Sequence, residues 1–332
     1  MTVYYNAPPS FDPIADQVTD EDASAQNVSI TNVSPGPSDE SGQTVTLTAT
    51  SNNTSVIPSP TVSGAGSNRT LTYTPVANAN GTATITVTAT DSQNSTFSRT
   101  FTITVNAVND PPIIILSSPN GGEAWAGGSS QNITWTATDV DNVSNTLTVN
   151  LFYTTDGTNL TSIASGLTNT SPYTWNPVAS LNSSTVKVKA TATDLESPIG
   201  TDLSNANFTI DSTAPNSASL VINDSAEYTN NTTVTLSISA TDDLSGVTEM
   251  NIYNGSAYNS ANWEAYDTTK SWTLPSTEGT KTVRIRFRDA AGNENTTFLA
   301  SDTIILDTSP LAIPGVPTVA GDNIINNEES SN

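Results

Sequence analysis

Apolar and hydroxyl residues alternate with a period of two along much of the chain. Residues 44–50 (TVTLTAT), 82–90 (TATITVTAT) and 100–105 (TFTITV) show it most cleanly. Successive side chains on a strand point to opposite faces, so each run offers an apolar face to a core and a threonine face to water. Such runs recur throughout, separated by clusters of Gly, Pro, Asn and Asp, and no stretch carries a sustained 3.6-residue apolar period. The pattern predicts an all-β protein.

The chain has 332 residues, too many for one sandwich. Its punctuation divides it into units of about 100 residues, the size of a seven-stranded sandwich. The boundaries are 109–112 (NDPP), 211–215 (DSTAP) and 307–310 (DTSP). The expected organisation is three tandem immunoglobulin-like β-sandwich domains in an elongated rod, over residues 1–107, 108–212 and 213–308. Residues 309–332 read as a tail, the opening strand of a truncated further repeat. Each boundary sets an acid close to a proline, which stiffens a short linker.

Composition then narrows the chemistry. Ser and Thr make up about 30% of the chain and Asn about 11%, and the alternation assigns the hydroxyls to sheet faces rather than to disorder. Cys and His are both absent. That excludes Ser-His-Asp and Cys-His nucleophiles, thiolate or imidazole metal sites, and disulfides. Adjacent acids such as Asp242 and Asp243 do not establish a glycosidase, whose two carboxylates must face each other across a sugar. The expectation is a protein that is not an enzyme.

Nine Lys+Arg against 32 Asp+Glu give a net charge of -23. By segment the charge is -6 over 1–107, -7 over 108–212, -7 over 213–308 and -3 over the tail. Such a chain repels phosphate backbones and anionic membrane surfaces, so no nucleic acid is expected as partner. No run of 18 apolar residues exists, so no direct membrane insertion is expected, and the N-terminal residues lack the features of a signal peptide. Hard cations are what it can attract.

The acids are not scattered. A phrase of the form Thr-Ala-Thr-Asp, or a variant, ends at Asp91, Asp139, Asp194, Asp242 and Asp289, at roughly half-domain spacing. Strand counting places Asp139 and Asp242 after the second strand of their units and Asp194 and Asp289 after the sixth, and in an immunoglobulin-like sandwich those loops share a pole. The preceding linker arrives at that pole. At junction one, Asn109, Asp110, Asp139, Asp141, Asn142, Asp194 and Glu196 are candidate Ca2+ ligands, with Glu21, Asp22, Asn78 and Asn80 contributed from the unit before. Junction two offers Asp211, Asp242, Asp243, Asp289, Asn293 and Glu294. Ca2+ takes six to eight oxygens from carboxylates, amides and carbonyls, which irregular loops can supply. The alternative is that these are turn residues bonding their own backbone.

Five tryptophans, Trp125, Trp135, Trp175, Trp263 and Trp272, are expected in cores. Trp263 and Tyr266, flanked by Glu264 and Asp267, are the candidates for contact with a glycan.

Several stretches resemble known families. In unit one, 14–17 (IADQ), 73–81 (YTPVANANG) and 105–112 (VNAVNDPP) resemble tandem cadherin-like or Ig-like repeats of bacterial proteins. In unit two, 119–125 (PNGGEAW) and 133–135 (ITW) resemble the Kre9/KNH-type sandwich of secreted microbial proteins. In unit three, 270–274 (KSWTL), 286–293 (RFRDAAGN) and 302–307 (DTIILD) are similar to Ig-like repeats of large microbial surface proteins. The resemblance to cadherin-like repeats implies that Asp139 and Asp141 form an Asp-x-Asp ligand pair and that Asn109 and Asp110 are linker ligands; the Asp-Arg-Glu segment of that family is absent.

Together these imply a non-catalytic structural or adhesive stalk, extracellular or at the cell surface, rigidified by Ca2+ at its junctions and meeting a protein or glycan ligand. Two alternatives stand beside it: a carbohydrate-binding accessory module of a secreted enzyme, and a subunit of an extracellular filament or virion fibre in which residues 313–325 pair with a neighbouring copy.

Overall fold

A computed structural model describes residues 5–141, 146–194, 199–256, 258 and 262–309. It is all-β, with single 3-10 turns at Ser38–Glu40 and Asn223–Ser225 and no α-helix among the described residues.

The first segment contains β1 (Gln17–Asp20), β2 (Gln26–Ile30), β3 (Val45–Ser51), β4 (Thr61–Ser63), β5 (Arg69–Tyr73), β6 (Gly81–Asp91) and β7 (Thr96–Asn106). They form two sheets, β1-β7-β6-β3 and β2-β5-β4. The alternation does what it predicts: along β6, Ala83, Ile85, Val87 and Ala89 are buried while the intervening threonines face outward.

The second segment contains β8 (Ile113–Ser118), β9 (Ala124–Ala126), β10 (Gln131–Thr138), β11 (Thr148–Thr154), β12 (Thr161–Thr168), β13 (Tyr173–Trp175), β14 (Ser183–Thr193), β15 (Gly200–Leu203) and β16 (Phe208–Asp211). Its sheets are β13-β10-β8 and β12-β11-β14-β16-β9, with β15 also on β14. The third contains β17 (Ser217–Ile222), β18 (Tyr228–Thr229), β19 (Thr233–Thr241), β20 (Val247–Asn254), β21 (Glu264–Ala265), β22 (Thr269–Thr273), β23 (Gly279–Asp289) and β24 (Ala300–Leu306), arranged as β17-β19-β22 and β18-β24-β23-β20-β21.

The three share one topology. Pairing is antiparallel except where an early strand meets the last one in parallel: β1 on β7, β9 on β16 and β18 on β24. In the second and third segments the opening strand pairs in one sheet before the chain crosses to the other, as in immunoglobulin-like sandwiches. An acid fastens each crossing: Asp202 accepts the Leu116 N–H at 2.7 Å and Asp302 the Ile222 N–H at 2.8 Å.

Each segment has its own apolar core, around Ile85 and Ile103 in the first, Trp135 and Phe208 in the second, and Ile285 and Phe287 in the third. Trp125, Trp135 and Trp175 are buried, and the Trp135 indole donates to Asn169 Oδ1 at 3.0 Å. Trp272 is half-buried and donates to Asn254 Oδ1 at 2.9 Å.

Separate cores predict separate melting. Phe208 is 1% exposed, and truncating a buried phenylalanine costs about 3–5 kcal/mol. Calorimetry of Phe208→Ala is expected to lower one unfolding transition and leave the others in place; a uniform shift of all transitions contradicts independent cores.

Candidate metal centres at the two junctions

At the second junction three strand ends meet. Asp211 closes β16, Asp242 follows β19 and Asp289 closes β23. One carboxylate oxygen from each lies within 4.8 Å of the others. Asp211 and Asp289 are 0% and 2% exposed. Asp242 Oδ2 accepts the N–H groups of Leu244 and Gly246, while its Oδ1 is buried without a hydrogen-bond partner. Asp211 accepts from Thr213 and from the Ser245 N–H. Asp289 accepts from Gly292, Asn293 N–H and Asn293 Nδ2.

The connection after β23 also grips the linker. Asn293 Nδ2 reaches the Asp211 carbonyl at 3.0 Å, and Asn295 Nδ2 reaches the Pro215 carbonyl at 2.8 Å. None of the three aspartates takes part in an ion pair among the described residues. Burial and the nearby Asp211 charge push the Asp289 carboxyl up, against the hydrogen bonds of Asn293 and Gly292. For Asp211, burial pushes upward but the bonds from Thr213 and Ser245 outweigh it, and its carboxyl sits below the usual range. Asp243 is exposed and accepts from Asn216 Nδ2 at 2.6 Å, outside the trio. Glu294 turns away to pair with Arg288 at 2.9 Å.

The first junction draws on both flanking segments. Glu21, 3% exposed, follows β1; its Oε1 accepts the Val108 N–H at 2.8 Å and its Oε2 is buried without a partner. Asp22 accepts the Asn78 N–H at 3.0 Å. Across the linker, Asp110 N–H donates to Asp141 Oδ2 at 2.7 Å, Asp141 N–H to Asp139 Oδ1 at 2.8 Å, and Asn109 Nδ2 to the Asp110 carbonyl at 3.3 Å. Asp110 Oδ2 is buried without a partner. Burial raises the Asp110 carboxyl, and the charges of Asp22, Asp141, Glu21 and Asp139 raise it further. A cavity of about 350 Å3 opens between Asn78, Asp110, Ile113 and Asp139. Asp194 follows β14 directly, and Asn80 is exposed. Asn142, Glu196 and residues 310–332 lie outside the described residues.

Sequence reasoning did not find Thr213, Ser245 or Asn295. Their contributions are mostly backbone amides and amide–carbonyl bonds between distant loops, which leave no signature in residue type. One expectation is corrected. Tyr266 is no exposed platform beside Trp263: its ring packs edge-on against Phe287 with centroids 5.9 Å apart, and its hydroxyl accepts the Ala240 N–H at 3.0 Å. Trp263 is half-buried, with the Arg288 guanidinium 4.3 Å and that of Arg286 5.8 Å from its ring centroid.

Residues 6–104 match the family model of a bacterial Ig domain. Among curated proteins none matches the chain. Solved structures that it resembles include the FN1-FN3 domains of chicken CNTN1, at 14% identity over 90% of this chain and 98% of that one, with a TM-score of 0.34. The human Desmocollin-1 ectodomain is 12% identical over 93% and 60%, TM-score 0.37. The fibronectin(III)-like modules of Clostridium thermocellum CbhA are 15% identical over 58% and 93%, TM-score 0.33. The chain is a tandem array of Ig-like sandwiches. No helix among the described residues is long and apolar enough to cross a membrane.

The crowding at Asp289 has a measurable consequence. A carboxyl whose native pKa is raised contributes stability that is complete below its unfolded value and is lost as pH rises through the native one. Asp211 works oppositely, its contribution present above the unfolded value and lost as pH falls through the depressed native one. In chelator, lowering the pH from neutral toward the carboxylate range is therefore expected to raise the melting temperature more in the wild type than in Asp289→Asn. An equal response in both contradicts it.

Proposed function

We propose that the chain is a non-catalytic extracellular spacer, a structural or adhesive stalk whose junctions bind Ca2+ and are stiffened by it. The observation that carries this reading is the meeting of Asp211, Asp242 and Asp289 at the junction of the second and third segments, with carboxylate oxygens within 4.8 Å of one another and, among the described residues, no ion pair to any of the three. The orphaned oxygens of Asp242, Glu21 and Asp110 support it, since each is a buried acceptor lacking a donor. Carboxylate, carbonyl and amide oxygens are the ligands that a hard cation takes.

The stiffening follows from where the ligands come from. Asp211 lies at the end of the second segment, while Asp242 and Asp289 belong to the third. An ion held by all three favours the arrangement that brings them together, and a ligand shifts a conformational equilibrium only through such differential affinity. The bacterial Ig match over residues 6–104 supports a structural role outside the cell. Such a stalk would carry a protein or glycan contact made elsewhere along it.

Small-angle scattering of the full chain tests this. Calcium is expected to narrow the distribution of overall dimensions relative to chelator, and Asp242→Asn to weaken that response by tenfold or more in calcium concentration. Scattering curves that superimpose with and without calcium contradict the proposal.

A further inference from the structure

The end of the β6–β7 hairpin away from the first junction carries a second kind of polar pole. Glu21 donates its N–H to the Asn106 carbonyl, beside Gly81 at one end of the hairpin; Asp91 closes β6 at the other. Asp91 is 4% exposed. Its Oδ1 accepts the N–H groups of Gln93 and Ser95, both at 2.9 Å, and its Oδ2 accepts Asn6 Nδ2 at 2.9 Å. Burial pushes this carboxyl up, but the bonds from Asn6, Ser95 and Gln93 outweigh it and hold it below the usual range. Asp91 is therefore purely an acceptor.

An acceptor-only partner fixes which end of each amide points where. The amide nitrogen of Asn6 must face Asp91, which turns its Oδ1 to Gln43. Gln43 answers with Nε2, at 2.8 Å. Its own Oε1 is left buried with no donor. Glu40, at the end of the 3-10 turn, is 7% exposed; its Oε1 accepts the Ala7 N–H at 2.6 Å, and its Oε2 is buried with no donor. That oxygen lies against Gly36, where a Cβ would displace it, and the φ of +142° favours glycine as well. Glu40 and Gln43 line one cavity of about 190 Å3 together with Tyr5, Asn6 and Asp39, and among the described residues no Lys or Arg lines it.

Two buried acceptors without donors call for a donor or a cation. We infer that this pole is a third Ca2+ site, in which Glu40 Oε2 and Gln43 Oε1 supply side-chain oxygens and Asp39, exposed at the rim, a second charge. The bound ion would tie the segment at Asn6 and Ala7 to the connection between β2 and β3, with Asp91 as the positioning residue that sets the amide relay. The site lies wholly within the first segment and stands or falls independently of both junctions.

Calcium binding to the full chain is counted by titration calorimetry in four forms: the wild type, Glu40→Gln, a variant carrying Asp110→Asn with Asp242→Asn, and that double variant with Glu40→Gln added. Circular dichroism checks that each folds. Glu40→Gln keeps an acceptor for Ala7 and is expected to lose one ion per chain while keeping the calcium dependence of scattering. Calcium retained by the double variant and lost on adding Glu40→Gln belongs to this pole. Terbium gives a second readout: Tyr5 is 89% exposed, so Tyr5→Phe threatens no packing, and it is expected to remove part of the tyrosine-sensitised emission that Glu40→Gln also removes. An unchanged ion count in Glu40→Gln overturns the site. Loss of the scattering response in the double variant bears on the junctions alone.

Discussion

Like charges brought together in a poorly hydrated place repel unless something positive sits between them, and this constraint governs the junctions. Two unit charges 4.8 Å apart repel by about 3 kcal/mol at an effective dielectric constant near 20. The fold makes the crowding unavoidable. β19 and β23 end at one pole, β16 delivers the linker to that pole, and each ends in or is followed by an aspartate. A single divalent ion would reduce the local charge from -3 to -1. Without it, one carboxyl must hold its proton more tightly, as Asp289 does.

The chain's few bases are deployed elsewhere. Five of the nine lie in residues 213–308, and Arg284, Arg286 and Arg288 stand at alternate positions of β23. Val283, Ile285 and Phe287, which alternate with them, are fully buried, so the arginines occupy the opposite sheet face. There Arg286 lies 3.4 Å from the Tyr258 ring centroid, and Arg288 pairs with Glu249 and Glu294. Such cation–π and paired contacts stabilise the face and cover Trp263. Arg288 precedes Asp289 in sequence, yet the pleat sends the two side chains to opposite sides. The separation of charges is thus a property of strand geometry as much as of composition.

Much of this was legible in the sequence because a period of two is a direct physical imprint. The threonine runs that became β3, β6 and β7 could face only one way, and the recurring Thr-Ala-Thr-Asp phrase marked the ends of strands that converge. Asp242 and Asp289 came from that phrase and Asp211 from the linker, within a group that also held Asp243, Asn293 and Glu294. What sequence could not resolve was orientation within a turn: Asp242 and Asp243 are neighbours with the same chemistry, but one turns into the trio and the other out to Asn216. Tyr266 looked like its neighbour Trp263, while the core had already claimed it. Glu40 lay further out of reach, because its environment depends on Gly36, Asn6, Gln43 and, through them, Asp91. No local pattern links residues so far apart.

Because the chain has no cysteine, two can be introduced for spin labels without background, one on the outer face of the second segment and one on the third. The distance distribution across the second junction, measured by double electron–electron resonance, tests the central claim most directly. The account predicts a distribution that narrows when calcium is added and broadens again with chelator, with no such change when Asp242 is replaced by Asn. A distribution of the same width in calcium and in chelator would contradict it.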